Sequence, residues 1–342
     1  MTQKDFIPNQ EPKIIESGEV TWQSPSNIAL VKYWGKKENQ IPANPSISFT
    51  LDNCHSTTTL KYSRKEEGSQ TNKFDFDFYF EGKAKEDFKP KIIKFFERIE
   101  NYCPYLKDYR FEIHSENSFP HSSGIASSAS GMSAIALCIM HLEKELYPDI
   151  QENYFTRKSS FLARLGSGSA SRSIEGGLVV WGKHDNIIGS SNEFAVAYPH
   201  KIHDVFKNYR DTILLVDKGE KQVSSTVGHD LMHGHPFAEK RFEQAHENLD
   251  KLIPVLEKGD TREFIKIVES EALTLHAMMM SSLPYFILMK PNTLEIINKI
   301  WSFRKSTDIP VCFTLDAGAN VHVLYPENHE SKILEFINNE LI

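Results

Sequence analysis

Residues 118–130 are dominated by Ser, Gly and Ala and run directly into an apolar stretch at 132–142, about three helical turns long. A small-residue loop feeding a buried helix is a narrow specification. Bulky side chains are excluded where the backbone turns, and the first N–H groups of the helix face whatever lies over the loop. A second segment of this kind, 165–177, reads Leu-Gly-Ser-Gly-Ser-Ala-Ser-Arg-Ser-Ile-Glu-Gly-Gly, after a helical stretch and before the apolar strand 178–181. Two such loops require a fold that mixes sheet with helix.

The hydrophobic period supports this on both sides of the loops. Residues 20–34 read as a strand entering a loop, and 45–60 as a second strand. Phe74, Phe76, Phe78 and Phe80 alternate with Asp and Tyr, the period of a half-buried strand, before 89–102 switches to helical spacing and 109–115 returns to strand. Farther on, 212–216 reads as a buried strand. Segments 236–257, 261–280 and 291–304 read as amphipathic helices, 311–315 and 321–325 as strands, and 330–339 as a last helix. With 342 residues, and roughly 150 per domain, two domains are expected. The weakly periodic stretch 183–208, with Gly189, Ser190, Ser191 and Pro199, places the boundary between 1–195 and 196–342. The fold class is α+β.

Composition excludes several functions. Thirty-nine Lys and Arg against 46 Asp and Glu give a net charge of −7, so no general basic field attracts nucleic acid or an anionic membrane, and a polyanion needs a local site. The longest apolar run, 134–140, is far short of the roughly 20 residues of a membrane span. The first ten residues lack the pattern of a signal peptide, which makes the cytoplasm the expected compartment. Cys54, Cys103, Cys138 and Cys312 form no CxxC pair and read as reduced, structural thiols.

Several segments can carry chemistry. Pro120-His-Ser-Ser-Gly124-Ile-Ala-Ser127-Ser128 has the composition of a phosphate cradle at a helix N-terminus, with Gly124 admitting an anion to the backbone and two hydroxyls beside it. It is neither a Walker A loop nor a Rossmann fingerprint, and its composition fits a tight packing turn equally well. Arg172 in the second loop can take phosphate or carboxylate in a fork, or lie on a surface turn. Lys32, Lys36 and Lys37 stand with Tyr33 and Trp34 at a strand end, either contacting phosphate or forming a solvated basic turn. Residues 218–226 add cations and hydroxyls. Asp316 ends an apolar strand and enters Ala-Gly-Ala-Asn, a position suited to a general base, although an isolated Asp-Ala-Gly reads first as a turn cap. The His229, His233, His235 group lacks a recognised ligand spacing and reads as a surface helix start; Met278, Met279 and Met280 read as core.

Taken in order, Ser26-Asn-Ile-Ala-Leu-Val-Lys-Tyr-Trp-Gly-Lys36, Pro45-Ser-Ile-Ser-Phe-Thr-Leu51, 120–130, Ala163-Arg-Leu-Gly-Ser-Gly-Ser-Ala-Ser-Arg-Ser173, Val223-Ser-Ser-Thr226 and Phe313-Thr-Leu-Asp-Ala-Gly-Ala-Asn320 resemble the GHMP small-molecule kinase superfamily and, within it, the diphosphomevalonate decarboxylase family. The resemblance implies a two-domain GHMP kinase fold. Its N-terminal domain would be ribosomal protein S5 domain 2-like and carry the phosphate loop; its C-terminal domain would be a ferredoxin-like α/β-sandwich carrying the catalytic aspartate. The implied reaction is ATP-dependent decarboxylation of (R)-5-diphosphomevalonate to isopentenyl diphosphate, releasing ADP, phosphate and CO2 in the mevalonate pathway of isoprenoid biosynthesis. ATP is a co-substrate accompanied by Mg2+, whose protein ligands spacing does not identify.

The resemblance also implies roles. Asp316 would orient or deprotonate the C3 hydroxyl, Lys32 would keep it ionised and contact the transferring phosphate, and Arg172, supported by Asn27, would hold the substrate carboxylate. Tyr33, Ser167, Ser169, Ser224 and Ser225 would line the substrate, and Gly124, Ser127 and Ser128 would cradle the ATP phosphates. A homodimer with no nucleic-acid or membrane partner is expected. The sequence departs from the family pattern at Ala319, for Pro in DAGPN, at Ile125 for Leu, at Ser171 for Cys, and at His229 for a common Met on the diphosphate side. Other readings of this fold are a phosphomevalonate decarboxylase, a mevalonate 3-kinase-like enzyme, or a non-catalytic ligand sensor. Galactokinase or homoserine kinase chemistry leaves the decarboxylase-specific segments unexplained.

Overall fold

The computed structural model describes residues 1–66, 73–120, 125, 127–216 and 225–342. In the first half, β1 (Ser17–Val31), β2 (Ser46–Arg64), β3 (Asp75–Phe80), β4 (Lys83–Ala84), β5 (Tyr109–Asn117), β6 (Leu178–Trp181) and β7 (Val196–Ala197) form one mixed sheet. The long strand β2 organises it: β1 runs antiparallel along one edge, while the other edge pairs first with β6 and then with β5. The alternating phenylalanines behave as their period predicts. All four are buried, Phe74 and Phe76 edge-on to Phe96 of α1 (Lys89–Ile99), while Asp75 and Asp77 on the opposite face pair with Arg110 of β5.

The small-residue loop leads into α2 (Ser127–Leu146), which packs on the sheet and against α3 (Glu152–Gly166). Small side chains at its start let helix and sheet approach closely: Ser130 Oγ lies 2.7 Å from Ser56 Oγ, and Ser133 Oγ 2.5 Å from Ser24 Oγ. The second loop closes into a short 3-10 helix, Gly168–Ser173, packed between α2, α3 and the strands.

In the second half, α4 (Asp204–Lys207), β8 (Tyr209–Leu214), α5 (Ser225–Asp230), α6 (Ala238–Lys258), α7 (Thr261–Met280), α8 (Pro291–Thr307), β9 (Cys312–Thr314), β10 (Val321–Pro326) and α9 (Glu330–Phe336) follow in order. The three strands form an antiparallel sheet with β10 in the centre, layered with helices as an α/β-sandwich. Two expectations are corrected here. The strand expected to be buried at 212–216 is the edge strand β8, with only Leu214 buried, because burial falls on the central β10. Met280 is 41% exposed at the helix end, while Met278 and Met279 are core as expected.

The two halves share a core. Leu30 and Val31 of β1, Ile47 of β2 and Val180 of β6 pack in one cluster with Leu249 and Leu252 of α6 and Phe264 of α7. Each such fully buried side chain contributes about 1.5–3 kcal/mol, so the junction is a packed interior. It delivers the end of β1 against α6 and α7. The four cysteines are unpaired, as expected.

Gly182, directly after β6, adopts φ 101°, and a Cβ there would come 2.6 Å from the Cα of Pro45. Gly182→Ala therefore strains its own backbone and displaces the residue before Ser46. The expected cost is about 1–3 kcal/mol, read as a lower urea midpoint with an unchanged slope.

Candidate active site

Lys32 lies one residue beyond β1 and Asp316 two beyond β9, and the junction brings them together: Lys32 Nζ is 3.0 Å from Asp316 Oδ1. The lysine side chain is 2% exposed and the aspartate 32%, so the pair is sealed on the lysine side and open to solvent on the carboxylate side. Burial pulls the Lys32 ammonium below its ordinary range, and Asp316 opposes that shift by favouring the charge. Gly318 N–H donates to the Asp316 carbonyl at 2.8 Å, and Thr293 Oγ1 holds the Ala319 carbonyl at 2.7 Å. The turn with Ala319 in place of proline is thus tied by hydrogen bonds.

Arg172 is buried on the short helix of the second loop, which rules out the surface-turn alternative. Its Nε donates to Asn27 Oδ1 at 3.2 Å and Ser48 Oγ at 3.0 Å, and Nη1 donates to Ser46 Oγ at 2.6 Å. Its guanidinium also lies 5.8 Å from the Trp181 ring centroid. Asn27 in turn donates to Ser173 Oγ at 2.8 Å and the Ser169 carbonyl at 3.2 Å. Burial lowers the Arg172 pKa to about 10, against the attraction of Asp316. Among the described residues no carboxylate lies within ion-pair distance of it. A buried guanidinium held by neutral groups is a binding site for an anion.

Tyr33 packs against Trp181 and His229, with ring centroids 4.7 and 4.2 Å away. Its buried Oη has no hydrogen-bond partner among the described residues, and burial holds the phenol well above its ordinary range. A Cβ on Gly168 would sit 2.8 Å from that oxygen, so a glycine at 168 lets the tyrosine fit. Ser127 and Ser128 open α2, and Ser128 Oγ is 3.5 Å from Ser167 Oγ, linking the two loops. Ser169 is half-buried on the same short helix. Gly124 and Ser224 lie outside the described residues, as does the side chain of Ser225 and most of the loop 218–226.

The histidine reading is corrected. His229 is 8% exposed rather than at a surface helix start, because its ring fills the space between Tyr33 and Trp34. Its Nδ1 accepts the Gly35 N–H at 3.0 Å, which leaves the proton of the neutral ring on Nε2. His235 is buried too, its Nε2 3.1 Å from the Met278 carbonyl. Among the described residues no group of three or more His, Cys, Asp or Glu side chains is arranged to hold a metal ion.

Several residues at the site were not singled out from the sequence. Ser46 and Ser48 alternate on β2 and face Arg172, a period-two polar pattern inside Pro-Ser-Ile-Ser-Phe-Thr. Arg241 and Glu271 form a fully buried ion pair around the Lys32 backbone, and His276 contacts the Asp316 carbonyl. The available signal was a charged residue on the apolar stripe of each amphipathic helix.

A mixed sheet that ends in Lys32 and a smaller antiparallel sheet that delivers Asp316 form the GHMP small-molecule kinase fold. Residues 24–194 match the diphosphomevalonate decarboxylase-like N-terminal domain, and 212–341 match the mevalonate 5-diphosphate decarboxylase C-terminal domain. The diphosphomevalonate decarboxylase of Debaryomyces hansenii is 30% identical over 325 residues, covering 92% of this chain and 81% of that one. That of Candida albicans is 29% identical over 329 residues, covering 92% and 86%. A crystal structure of a mevalonate diphosphate decarboxylase from Legionella pneumophila superimposes with TM-score 0.79 at 30% identity, covering 95% of this chain and 98% of that one. A structure described as MDDEF in complex with MVAPP, AMPPCP and magnesium gives TM-score 0.80 at 27% identity, covering 95% and 93%. The chain belongs to the diphosphomevalonate decarboxylase family.

Burial holds His229 at a pKa of about 3 and His276 at about 4, against 6.5 when free. Below pH 6.5 the unfolded chain therefore binds more protons than the folded one, and stability falls with pH until the folded pKa values are passed. Each group contributes up to about 1.4 kcal/mol per pH unit within that window. His229→Gln, which keeps an acceptor for Gly35, should flatten the decline between pH 6 and 4 in urea titrations.

Proposed function

We propose that the chain catalyses the ATP-dependent decarboxylation of (R)-5-diphosphomevalonate to isopentenyl diphosphate, with release of ADP, phosphate and CO2. The observation that carries the reading is the Lys32–Asp316 pair at 3.0 Å beside a buried Arg172 that is held by neutral side chains, with no carboxylate among the described residues in ion-pair contact with it. A general base and a carboxylate anchor are the two protein groups this reaction needs.

In this mechanism Asp316 orients the tertiary C3 hydroxyl or takes its proton, and Lys32 keeps Asp316 ionised while contacting the transferring phosphoryl group. Phosphorylation makes that oxygen a leaving group. As it departs, positive character develops at C3, favoured by the nearby Asp316 carboxylate, and loss of the substrate carboxylate as CO2 quenches it. Arg172, oriented by Asn27, Ser46 and Ser48, holds that carboxylate until it leaves. Tyr33, Ser167 and Ser169, with Ser224 and Ser225, line the substrate side. Ser127 and Ser128, with Gly124, receive ATP phosphates at the start of α2, where the helix N-terminus favours negative charge. Magnesium, when bound with ATP, neutralises charge on the phosphate oxygens.

The reading further includes a division into residues 1–195 and 196–342, a homodimer, and a place in the cytoplasm. No described helix is long and apolar enough to cross a membrane.

The test follows ADP and CO2 release with Mg2+ and ATP, offering 5-diphosphomevalonate, 5-phosphomevalonate and mevalonate in parallel. Equal yields from the diphosphate alone are expected, and Asp316→Asn should lower kcat by about 10²–10⁴-fold, the usual contribution of a general base. Arg172→Lys, which loses the fork, should raise KM for the diphosphate and lower kcat. Preference for the monophosphate would relocate the substrate and implicate the His229 side of the site. ADP without CO2 would make the enzyme a C3 kinase.

A further inference from the structure

Lys32 and Asp316 follow strands of two different sheets, so no ladder of strand hydrogen bonds sets the distance between them. One helix touches both. On α7, Glu271 Oε2 accepts the Lys32 backbone N–H at 2.8 Å, and His276 Nε2 lies 3.1 Å from the Asp316 carbonyl. A carbonyl only accepts, so the His276 ring is the donor with its proton on Nε2. The two posts are five residues apart, about 7.5 Å along the helix axis.

Each post is itself held. Glu271 is fully buried, paired to Arg241 and accepting Asn248 Nδ2 at 2.6 Å, while Arg241 Nη2 returns a bond to the Lys32 carbonyl at 3.1 Å. Both backbone polar groups of Lys32 are thus gripped from the other half of the molecule. Two residues before Glu271, Glu269 pairs with Arg304 at 2.7 Å and accepts the Phe313 N–H at 3.4 Å, steadying the strand that leads to Asp316. A buried ion pair is a poor source of net stability, because desolvation offsets most of the attraction. What this one does supply is a fixed position for Lys32.

We propose that α7 acts as a spacer that sets the Lys32 to Asp316 distance, with Glu271 and His276 as positioning residues for the reaction. This rests on the roles assigned to Lys32 and Asp316 above. Among the described residues, the charged and titratable groups facing Asp316 include Lys32, Arg172 and His276. Lys32 lies at ion-pair distance, and a carboxylate that drifts from it loses an attraction that favours its charged form.

The test compares His276→Phe, which keeps a ring and loses the donor, with His276→Gln, which can donate to the same carbonyl. Three quantities are read on the full-length protein: the urea midpoint, kcat and KM for ATP and diphosphomevalonate, and the pH titration of the Asp316 carboxyl carbon by 13C NMR, assigned with Asp316→Asn. His276→Phe is expected to lower kcat about 10–100-fold with both KM values within about threefold, since a misplacement near 1 Å costs up to about 10²-fold. The Asp316 carboxyl should titrate at higher pH than in the wild type. His276→Gln should recover most of both. Glu271→Gln, which still accepts the Lys32 N–H but loses its charge against Arg241, should shift both readings in the same direction by less.

Unchanged kcat and an unchanged Asp316 titration in a folded His276→Phe protein would overturn the proposal. So would a fall in kcat that tracks the urea midpoint and is not recovered by His276→Gln. If the wild type fails to turn over diphosphomevalonate, the functional reading falls, yet the Asp316 titration still decides whether α7 spaces the pair.

Discussion

The rest of the structure depends on one contact, the ion pair between a lysine at the end of β1 and an aspartate from the far end of the chain. An ammonium buried to this degree pays heavily in lost hydration unless a counter-charge and fixed geometry accompany it. The fold supplies both by pressing two halves together through a common apolar cluster rather than through a hinge. Lys32 is therefore held by packing along β1, by hydrogen bonds on its backbone, and by charge at its tip.

Arg172 presents the complementary situation. Its hydrogen-bond partners among the described residues are an amide and two serine hydroxyls, so its orientation is fixed by neutral groups while Asp316 attracts it without an ion pair. An acidic chain with a net charge of −7 thereby maintains a local site for anions. Under the proposed function, the Arg172 guanidinium and the Lys32 ammonium come from separate elements to one place, where the substrate carboxylate and the transferring phosphate would sit. The acid that attracts Arg172, Asp316, is paired with Lys32.

The catalytic segments were legible because each is a local backbone requirement written in consecutive residues. Gly168 must be small for Tyr33 to fit, the start of α2 must be small for close contact with the sheet, and the alternating phenylalanines can satisfy only a strand. The role of Asp316 was not legible in this way. In isolation, Asp-Ala-Gly reads first as a turn cap, and the resemblance of the whole ordered set of segments was needed to choose the base. What escaped altogether is contact between distant positions: Ser46 to Arg172 across 126 residues, Arg241 to Glu271 between neighbouring helices. His229 was misjudged for the same reason. A short polar segment carries no period, and its burial is decided by two aromatic rings nearly two hundred residues away.

The sequence separations across the junction have a consequence for how the protein is made. Lys32 meets Glu271 across 239 residues and Asp316 across 284, and the apolar end of β1 is covered only by helices that leave the ribosome much later. Until then the N-terminal sheet carries an uncovered apolar face at Leu30 and Val31 beside an unpaired lysine. Closing loops of that length is entropically slow. The active site is thus among the last features to form during synthesis, and a chain interrupted before residue 316 cannot possess it in any partial measure.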